Sequence, residues 1–411
     1  MKYKEEYDRY MWISDENTFE DLKEAIRDPT VRCLYFTNVY FVDSIVKAMS
    51  GLKGRPFTKL GLISCRGKLA AALSFLLEDT AIVSLRIDGM DLCANGAKEL
   101  GAALAKSTTM NYLSLQALPL TAPLIEALSH GLIWSKRLET LVFNHVTAPS
   151  NPLLVDRLLE GLSQNTSLSR LEILRVPEIS GESLFRSVRS HPSLMHLSVM
   201  LVNLEEDTAK AIGELSTSPQ SVLRTLKLSI RGIWSHVDSL PCNSRFKLHL
   251  DLSTFRYKCL EILGKTLVQN GAIESLNLAY QGLPDSDISL LAPFLGQAKG
   301  LKSVNLYGNT VSEKGGQSLL LAMKSNHQIE SIDLPYPCPQ KEEINLYADM
   351  NKGGRKIFLD SDASSSIWPH VLERAGQLQY NPCAIVRLRH ENERRAANVV
   401  YNLLHGPATL H

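Results

Sequence analysis

Residues 273–326 contain the same segment twice. Residues 273–300 read IESLNLAYQGLPDSDISLLAPFLGQAKG, and residues 301–326 read LKSVNLYGNTVSEKGGQSLLLAMKSN. Ile273, Leu276, Leu278 and Leu283 align with Leu301, Val304, Leu306 and Val311 at a step of 28 residues. Each copy opens with apolar residues at offsets 0, 3 and 5, counted from its first core residue. It closes with a helical spacing: Leu290, Leu291, Phe294 and Leu295 in one, Leu319, Leu320 and Met323 in the other. The pattern reads as a strand followed by a helix. One such unit cannot bury its own apolar side, so the copies must stack on one another.

Run outward, the same register finds twelve central residues: Leu34, Leu60, Leu85, Leu113, Leu141, Leu171, Leu197, Leu226, Leu250, Leu276, Val304 and Ile332. They are spaced 24 to 30 residues apart. Helical patterns follow the strands in most units, from 43–52 and 68–77 through 287–295 and 313–324. The unit starting at Leu223 is the exception. Its segment 231–247 holds Pro241 and shows no helical face, and reads as an irregular loop with a turn at 234–240. Residues 1–30 read as an N-terminal cap with one helix, 19–27. Thr18 is placed to cap it, Phe19, Leu22 and Ile26 share its apolar face, and Asp28-Pro29 stops it. Residues 338–411 read as a C-terminal helical cap, with helices over 342–351, 367–378 and 381–404.

The pattern LxxLxLxxNxL at this step resembles the leucine-rich repeat proteins, specifically the ribonuclease-inhibitor-like class, over about residues 31–336. The resemblance implies an α/β solenoid of horseshoe form, with parallel strands on its concave face, helices on its convex face and helical caps at both ends. The geometry of the elements agrees, because strands pack ~4.8 Å apart while helices need about 10 Å. The family's asparagine at offset 8 survives only as Asn309. Val39, Cys65, Met90, Leu118, Val146, Val176, Val202, Arg231, Phe255 and Gln281 stand there elsewhere. Cys65 is a known substitute in the family, and the others trade a polar ladder for apolar packing. Irregular turns after the strands are the expectation. Residues 344–375 are similar to a C-terminal extension found in a group of eukaryotic repeat proteins of this class.

Composition narrows the functions. There are 44 basic and 43 acidic residues, a net charge of +1, so no global field draws nucleic acid or an anionic membrane. Seven scattered cysteines without a CxxC point to reduced thiols. No signal-peptide core and no run of ~20 apolar residues is legible. The expectation is a cytoplasmic protein, with the nucleus as the alternative. Asn165-Thr166-Ser167 is a glycosylation sequon. Gly264-Lys265-Thr266 imitates the end of a phosphate loop, but Cys259 stands where the motif needs glycine. His390-Glu391 opens an HExxH imitation that ends on Arg394, so a zinc ligand is missing. His196 and His249 share an offset two repeats apart, too far for one metal. Arg387, Arg389, His390, Arg394 and Arg395 form a basic run interleaved with Glu391 and Glu393, which reads as a solvated helix face. No catalytic residue, cofactor or metal site is expected.

What remains is surface. Offsets 2 and 4 point away from the core because strand side chains alternate, and they carry a mixed polar set. Leu174, Met200, Leu201 and Ile230 form an apolar group just past the middle strands. Tyr280, Tyr307 and Tyr336 recur just past the last three strands, beside Asn277, Asn305 and Asp333. Tyrosine combines large area with a polar tip, so these six are the candidate partner-binding residues. The function expected is a non-enzymatic scaffold that binds a protein, with no nucleic-acid or membrane partner. The alternative is a regulator of a small GTPase, since one branch of the class consists of Ran-GTPase-activating proteins. That branch usually ends in a strongly acidic region, which this sequence lacks. The sensor region of innate-immunity receptors is a third class, but it accompanies a nucleotide-binding domain of which no motif is legible.

Overall fold

A computed structural model describes residues 9–356, apart from 16, 53, 56, 79–80, 150, 177, 203–204, 231–245 and 253–259. The chain divides into two compact units, Met1–Leu228 and Ser229–His411. Residues 231–245 of the expected irregular segment 231–247, the cap helices at 367–378 and 381–404, the HExxH imitation and the basic run at 387–395 lie outside the described residues.

In chain order the first unit comprises β1 (Arg9–Ser14), α1 (Thr18–Arg27), β2 (Val31–Thr37), β3 (Tyr40–Phe41), α2 (Asp43–Ala48), β4 (Lys59–Ile63), β5 (Arg66–Gly67), α3 (Leu69–Glu78), β6 (Ser84–Asp88), α4 (Ala94–Lys106), β7 (Tyr112–Gln116), α5 (Ala122–Trp134), β8 (Thr140–Asn144), α6 (Pro152–Gln164), β9 (Arg170–Leu174), α7 (Gly181–Ser187), β10 (His196–Leu201), α8 (Glu206–Thr217) and β11 (Thr225–Ile230). β3 and β5 form a separate short ladder, and the other strands pair in parallel in sequence order. Leu34 lies opposite Leu60, Leu60 opposite Leu85, and so on through Leu113, Leu141, Leu171 and Leu197. All seven are buried. Burying a leucine contributes roughly 1.5–3 kcal/mol, and here the contribution recurs once per repeat.

β1 was not legible in the sequence. Met11 pairs with Leu34, so the ladder begins one strand earlier than the repeat pattern indicates. The residue at offset 0 of that strand is Asp8, which removes the apolar signal. Thr18 does not cap α1. It is the first helical residue, and its hydroxyl donates to the Ser14 carbonyl at 2.7 Å. Leu22 is buried, while Phe19 is exposed.

The second unit has β12 (Lys247–Asp251), α9 (Leu260–Gln269), β13 (Ile273–Asn277), α10 (Asp285–Gln297), β14 (Ser303–Asn305), α11 (Glu313–Ser325), β15 (Ser331–Asp333) and α12 (Lys341–Lys352). Its ladder runs Leu250, Leu276, Val304, Ile332, again in parallel and again buried. In each unit the leucine-rich repeats build a solenoid layer of strands backed by helices. Small residues let those helices approach. A Cβ on Gly101 of α4 would strike the Ala127 carbonyl of α5, and one on Gly131 would meet the Gly101 carbonyl.

Eight of the turns that leave the strands share one backbone conformation, where irregular turns were expected. The residue at offset 7 has a positive φ in Asn38, Ser64, Gly89, Ala117, His145, Arg175, Tyr280 and Gly308. This conformation turns the chain out of the sheet. It also aims the N–H of Asn38, Ser64, Gly89, Ala117, His145 and Tyr280 at a carbonyl of the next repeat, at 2.8–3.0 Å. The backbone ladder replaces the missing asparagines, and Val39, Cys65, Met90, Leu118, Val146 and Val176 pack behind it, buried. Val202 departs from the apolar-packing expectation, being 51% exposed.

A second set of polar residues sits where helices give way to strands, three positions before the first core residue. Asn165 donates to the carbonyls of Leu132 and Ser135 and accepts from the N–H groups of Ser167 and Leu168. Asn326 repeats the arrangement with Leu295, Ala298, Gln328 and Ile329. Ser107 accepts from Thr109 and Met110, Ser135 from Leu138, and Asn270 from Ala272. In β10's repeat the position holds His191, whose Nδ1 accepts from Ser193 and Leu194. Burial lowers the His191 pKa to about 4, so the imidazole is neutral, as an accepting Nδ1 requires. Asn165 is fully buried with its amide engaged, so the sequon cannot carry a glycan in this fold.

Candidate functional site

The strands of the second unit end at a surface built around Tyr280 and Tyr307. Tyr280 occupies the positive-φ turn after β13, and its N–H donates to the Tyr307 carbonyl at 2.9 Å. The two rings meet edge to face, with centroids 5.5 Å apart and an interplanar angle of 80°. Gly308 lies under the Tyr280 ring. A Cβ there would collide with it, and the φ of +75° disfavours any other residue. Asn309 ties the loop down from inside. Its Oδ1 accepts from Gln281 and Leu283, and its Nδ2 donates to the Leu278 and Leu306 carbonyls, all within 3.1 Å. The tyrosines are held from behind yet remain 70% and 50% exposed.

The structure does not bring all six expected site residues together. Tyr280, Tyr307, Asn305 and Asp333 line one groove of about 620 Å³, whose far wall is α12 with Lys341, Asn345, Asp349 and Lys352. Asn277 and Asn305 are half-buried and spend their side-chain oxygens locally, accepting from Ala279 and Tyr307 N–H at 3.0 and 2.9 Å. They shape the turns that present the tyrosines. Tyr336 is 89% exposed but makes no ring contact with the other two and does not line the groove. Arg355 anchors the segment after α12. Its guanidinium donates to the carbonyls of Met323, Lys324 and Asn326 at 2.7–3.1 Å and lies 4.8 Å from the Tyr347 ring. Burial lowers its pKa to about 10, which leaves it charged.

The imitated motifs resolve into structure. Gly264 is inside α9, where a Cβ would strike the Phe294 ring, and Lys265 pairs with Glu261 one turn away. Among the described residues no group of three His, Cys, Asp or Glu side chains could hold a metal ion. No described helix is long and apolar enough to cross a membrane. In the middle apolar group Leu201 and Ile230 are buried, leaving Leu174 and Met200 half-exposed.

Sequence reasoning missed a second aromatic group, on the first unit. Trp12 and Tyr35 are stacked with centroids 4.7 Å apart, and Tyr10 lies 6.1 Å from Tyr35. The alternation Tyr10-Met11-Trp12-Ile13, two residues out and two in, is the signal that could have revealed it.

No family model matches the chain. A segment of 96 residues, 23% of the chain, is 30% identical to human "NACHT, LRR and PYD domains-containing protein 13", and the match spans only 9% of that protein. Solved structures with a similar course include a chain of the yeast Rad7 and Elc1 complex, 17% identical at a TM-score of 0.42, with 73% of this chain and 70% of that one covered. An internalin from Listeria monocytogenes is 13% identical at 0.39, with 80% and 86% covered. The TLR13–ssRNA13 complex is 13% identical at 0.39, with 79% and 54% covered. The leucine-rich-repeat fold is established by the strand register and the helix behind each strand rather than by these scores.

Proposed function

We propose that this chain is a non-enzymatic binding scaffold that engages a protein partner through the Tyr280–Tyr307 groove. The observation that carries this reading is a pair of largely exposed aromatic rings fixed by Gly308 and Asn309. An ordinary surface tyrosine is not supported in this way, and ordering the rings in advance reduces the entropy lost on binding. Asp333, Lys341, Asp349 and Lys352 around the groove supply a polar rim of both signs. The ribonuclease-inhibitor-like subclass, the caps at 1–30 and 338–411 and a cytoplasmic or nuclear setting belong to the same proposal. The GTPase-regulator alternative gains no support from this geometry.

The test starts from a partner recovered by pull-down and mass spectrometry, with its affinity then measured by calorimetry. Replacing Tyr280 and Tyr307 together by alanine is expected to weaken binding at least about 30-fold, the loss of a hot spot of ~2 kcal/mol or more. Tyr336→Ala is expected to change it less than about threefold. An unchanged affinity in the double variant overturns the reading.

A further inference from the structure

The aromatic row on the first unit stands on the face opposite the helices. Met11 and Ile13 enter the core, which leaves Tyr10 and Trp12 facing outward from β1. Trp12 pairs with Tyr35 of β2, whose ring enters between the other two at interplanar angles of 23° and 24°. Gly61 of β4 makes room, since a Cβ there would collide with the Tyr35 ring. Lys59 places its Nζ 5.7 Å from the centre of the Tyr10 ring. Trp12, at the other end of the row, is 58% exposed and among the described residues contacts no ring except Tyr35. A planar ligand could extend the row on the indole.

The charge of this face differs from that of the whole chain. Across β1 to β11 the outward offsets 2 and 4 carry Lys59, Arg86, Arg170 and Lys227 against one acid, Glu172. Arg86 is engaged by Asp88 and Gln116, at 2.6 and 3.0 Å. The same offsets in the second unit carry Asp251 and Asp333 and no lysine or arginine. The net charge of +1 conceals two strand faces of opposite sign.

We propose that the open face of the first unit binds single-stranded nucleic acid, with a base stacked on Trp12 and phosphates passing Lys59 towards Arg170 and Lys227. A nucleobase supplies a flat π-face to extend the row at its open end, and the phosphate backbone is complementary in charge to the basic positions of this face. An acidic peptide meets the charge but leaves the indole without a planar partner. The proposal is independent of the Tyr280 groove, which lies in the other unit.

The experiment uses the full chain and a fluorescently labelled oligothymidylate of about twenty nucleotides, read by anisotropy at about 50 and about 200 mM salt. Binding is expected at the lower salt and should weaken at the higher. Trp12→Ala is expected to lower affinity about tenfold or more, and Trp12→Phe to recover most of the loss. Lys59→Glu should weaken binding and flatten its salt dependence. Alanine at Tyr280 and Tyr307 should leave it unchanged. A urea midpoint for Trp12→Ala equal to that of the wild type shows that any loss is local. The proposal is overturned by no binding at the lower salt, by a Trp12→Ala effect under about twofold, or by polyglutamate competing as well as unlabelled oligothymidylate. The last result would assign the face to an acidic protein.

Discussion

In many of the described repeats the two turns are held by different chemistry. Where a strand gives way to a helix, the backbone does the work through a positive φ, an N–H aimed at the next repeat and an apolar residue behind. Where a helix gives way to a strand, a buried side chain does it, most completely in Asn165 and Asn326. A backbone device tolerates many residues at the position, because every non-proline residue carries the same N–H. A side-chain device demands a donor and an acceptor at one spacing, which asparagine supplies in a single amide. Asn309 is the exception that brings the second solution to the first kind of turn, at the loop that carries Tyr280.

Substitutions can break this comparison. The largest effect is expected for Asn326→Ala, which strands two carbonyls and two N–H groups in a buried joint. A loss of about 3–4 kcal/mol in urea unfolding is the expected outcome, and a loss below about 1 kcal/mol would show that the joint is held by packing alone.

His191 tests the same joint by pH. Its folded pKa is about 4 against an ordinary value of 6.5, so the unfolded chain takes up a proton first as pH falls. The stabilising contribution is complete above about pH 6.5 and is lost between there and about pH 4. Between pH 7.5 and 5 the wild type should lose about 2 kcal/mol more than His191→Asn, measured as urea midpoints at both pH values. Equal losses would mean that the imidazole does not serve as the acceptor.

Asn309→Ala removes as many bonds as Asn326→Ala, but in a turn beside exposed Tyr280 where water can reach the freed groups. A loss of about 2 kcal/mol is expected, with weaker partner binding, because the Tyr280 ring loses its anchor. Stability lost with affinity unchanged would separate the loop from the site. The smallest effect is expected at Ala117, where φ is +47°. Glycine relieves that strain, so Ala117→Gly should shift stability by less than about 0.5 kcal/mol. Ala97→Gly in α4 should cost about 1 kcal/mol or more, since it loses helix propensity and a buried methyl. Similar costs at the two sites would argue against the backbone account of the turn.

The fold was legible because its signal is apolar and periodic. Leu276, Val304 and their counterparts occupy the ladder positions that the spacing indicates. β1 escaped because Asp8 broke the pattern, although Met11 and Ile13 kept its inward half. The turns were misjudged because a missing asparagine is visible in a sequence and a positive φ at Ala117 or Arg175 is not. The helix-exit joints were overlooked because serine, asparagine and histidine share a role there without sharing a name. Of the candidate site, Tyr280 and Tyr307 were legible as aromatics at neighbouring offsets. That Tyr336 stands apart from them, and that Asn277 and Asn305 serve the backbone, depends on geometry that spacing does not encode.

The joint at Asn326 also has a consequence for motion. Its side chain binds the end of α10 and the approach to β15, while its own carbonyl accepts from Asn351 and Arg355. One residue thus links α10, the approach to β15, α12 and the segment after α12. α12 cannot fray without disturbing β15, and β15 forms the floor of the groove whose opposite rim is Tyr280 and Tyr307. Local opening of α12 and loss of the groove should therefore be one cooperative event. In hydrogen exchange, the amides of Gln328 and Ile329 would then open at the same free energy as the α12 interior.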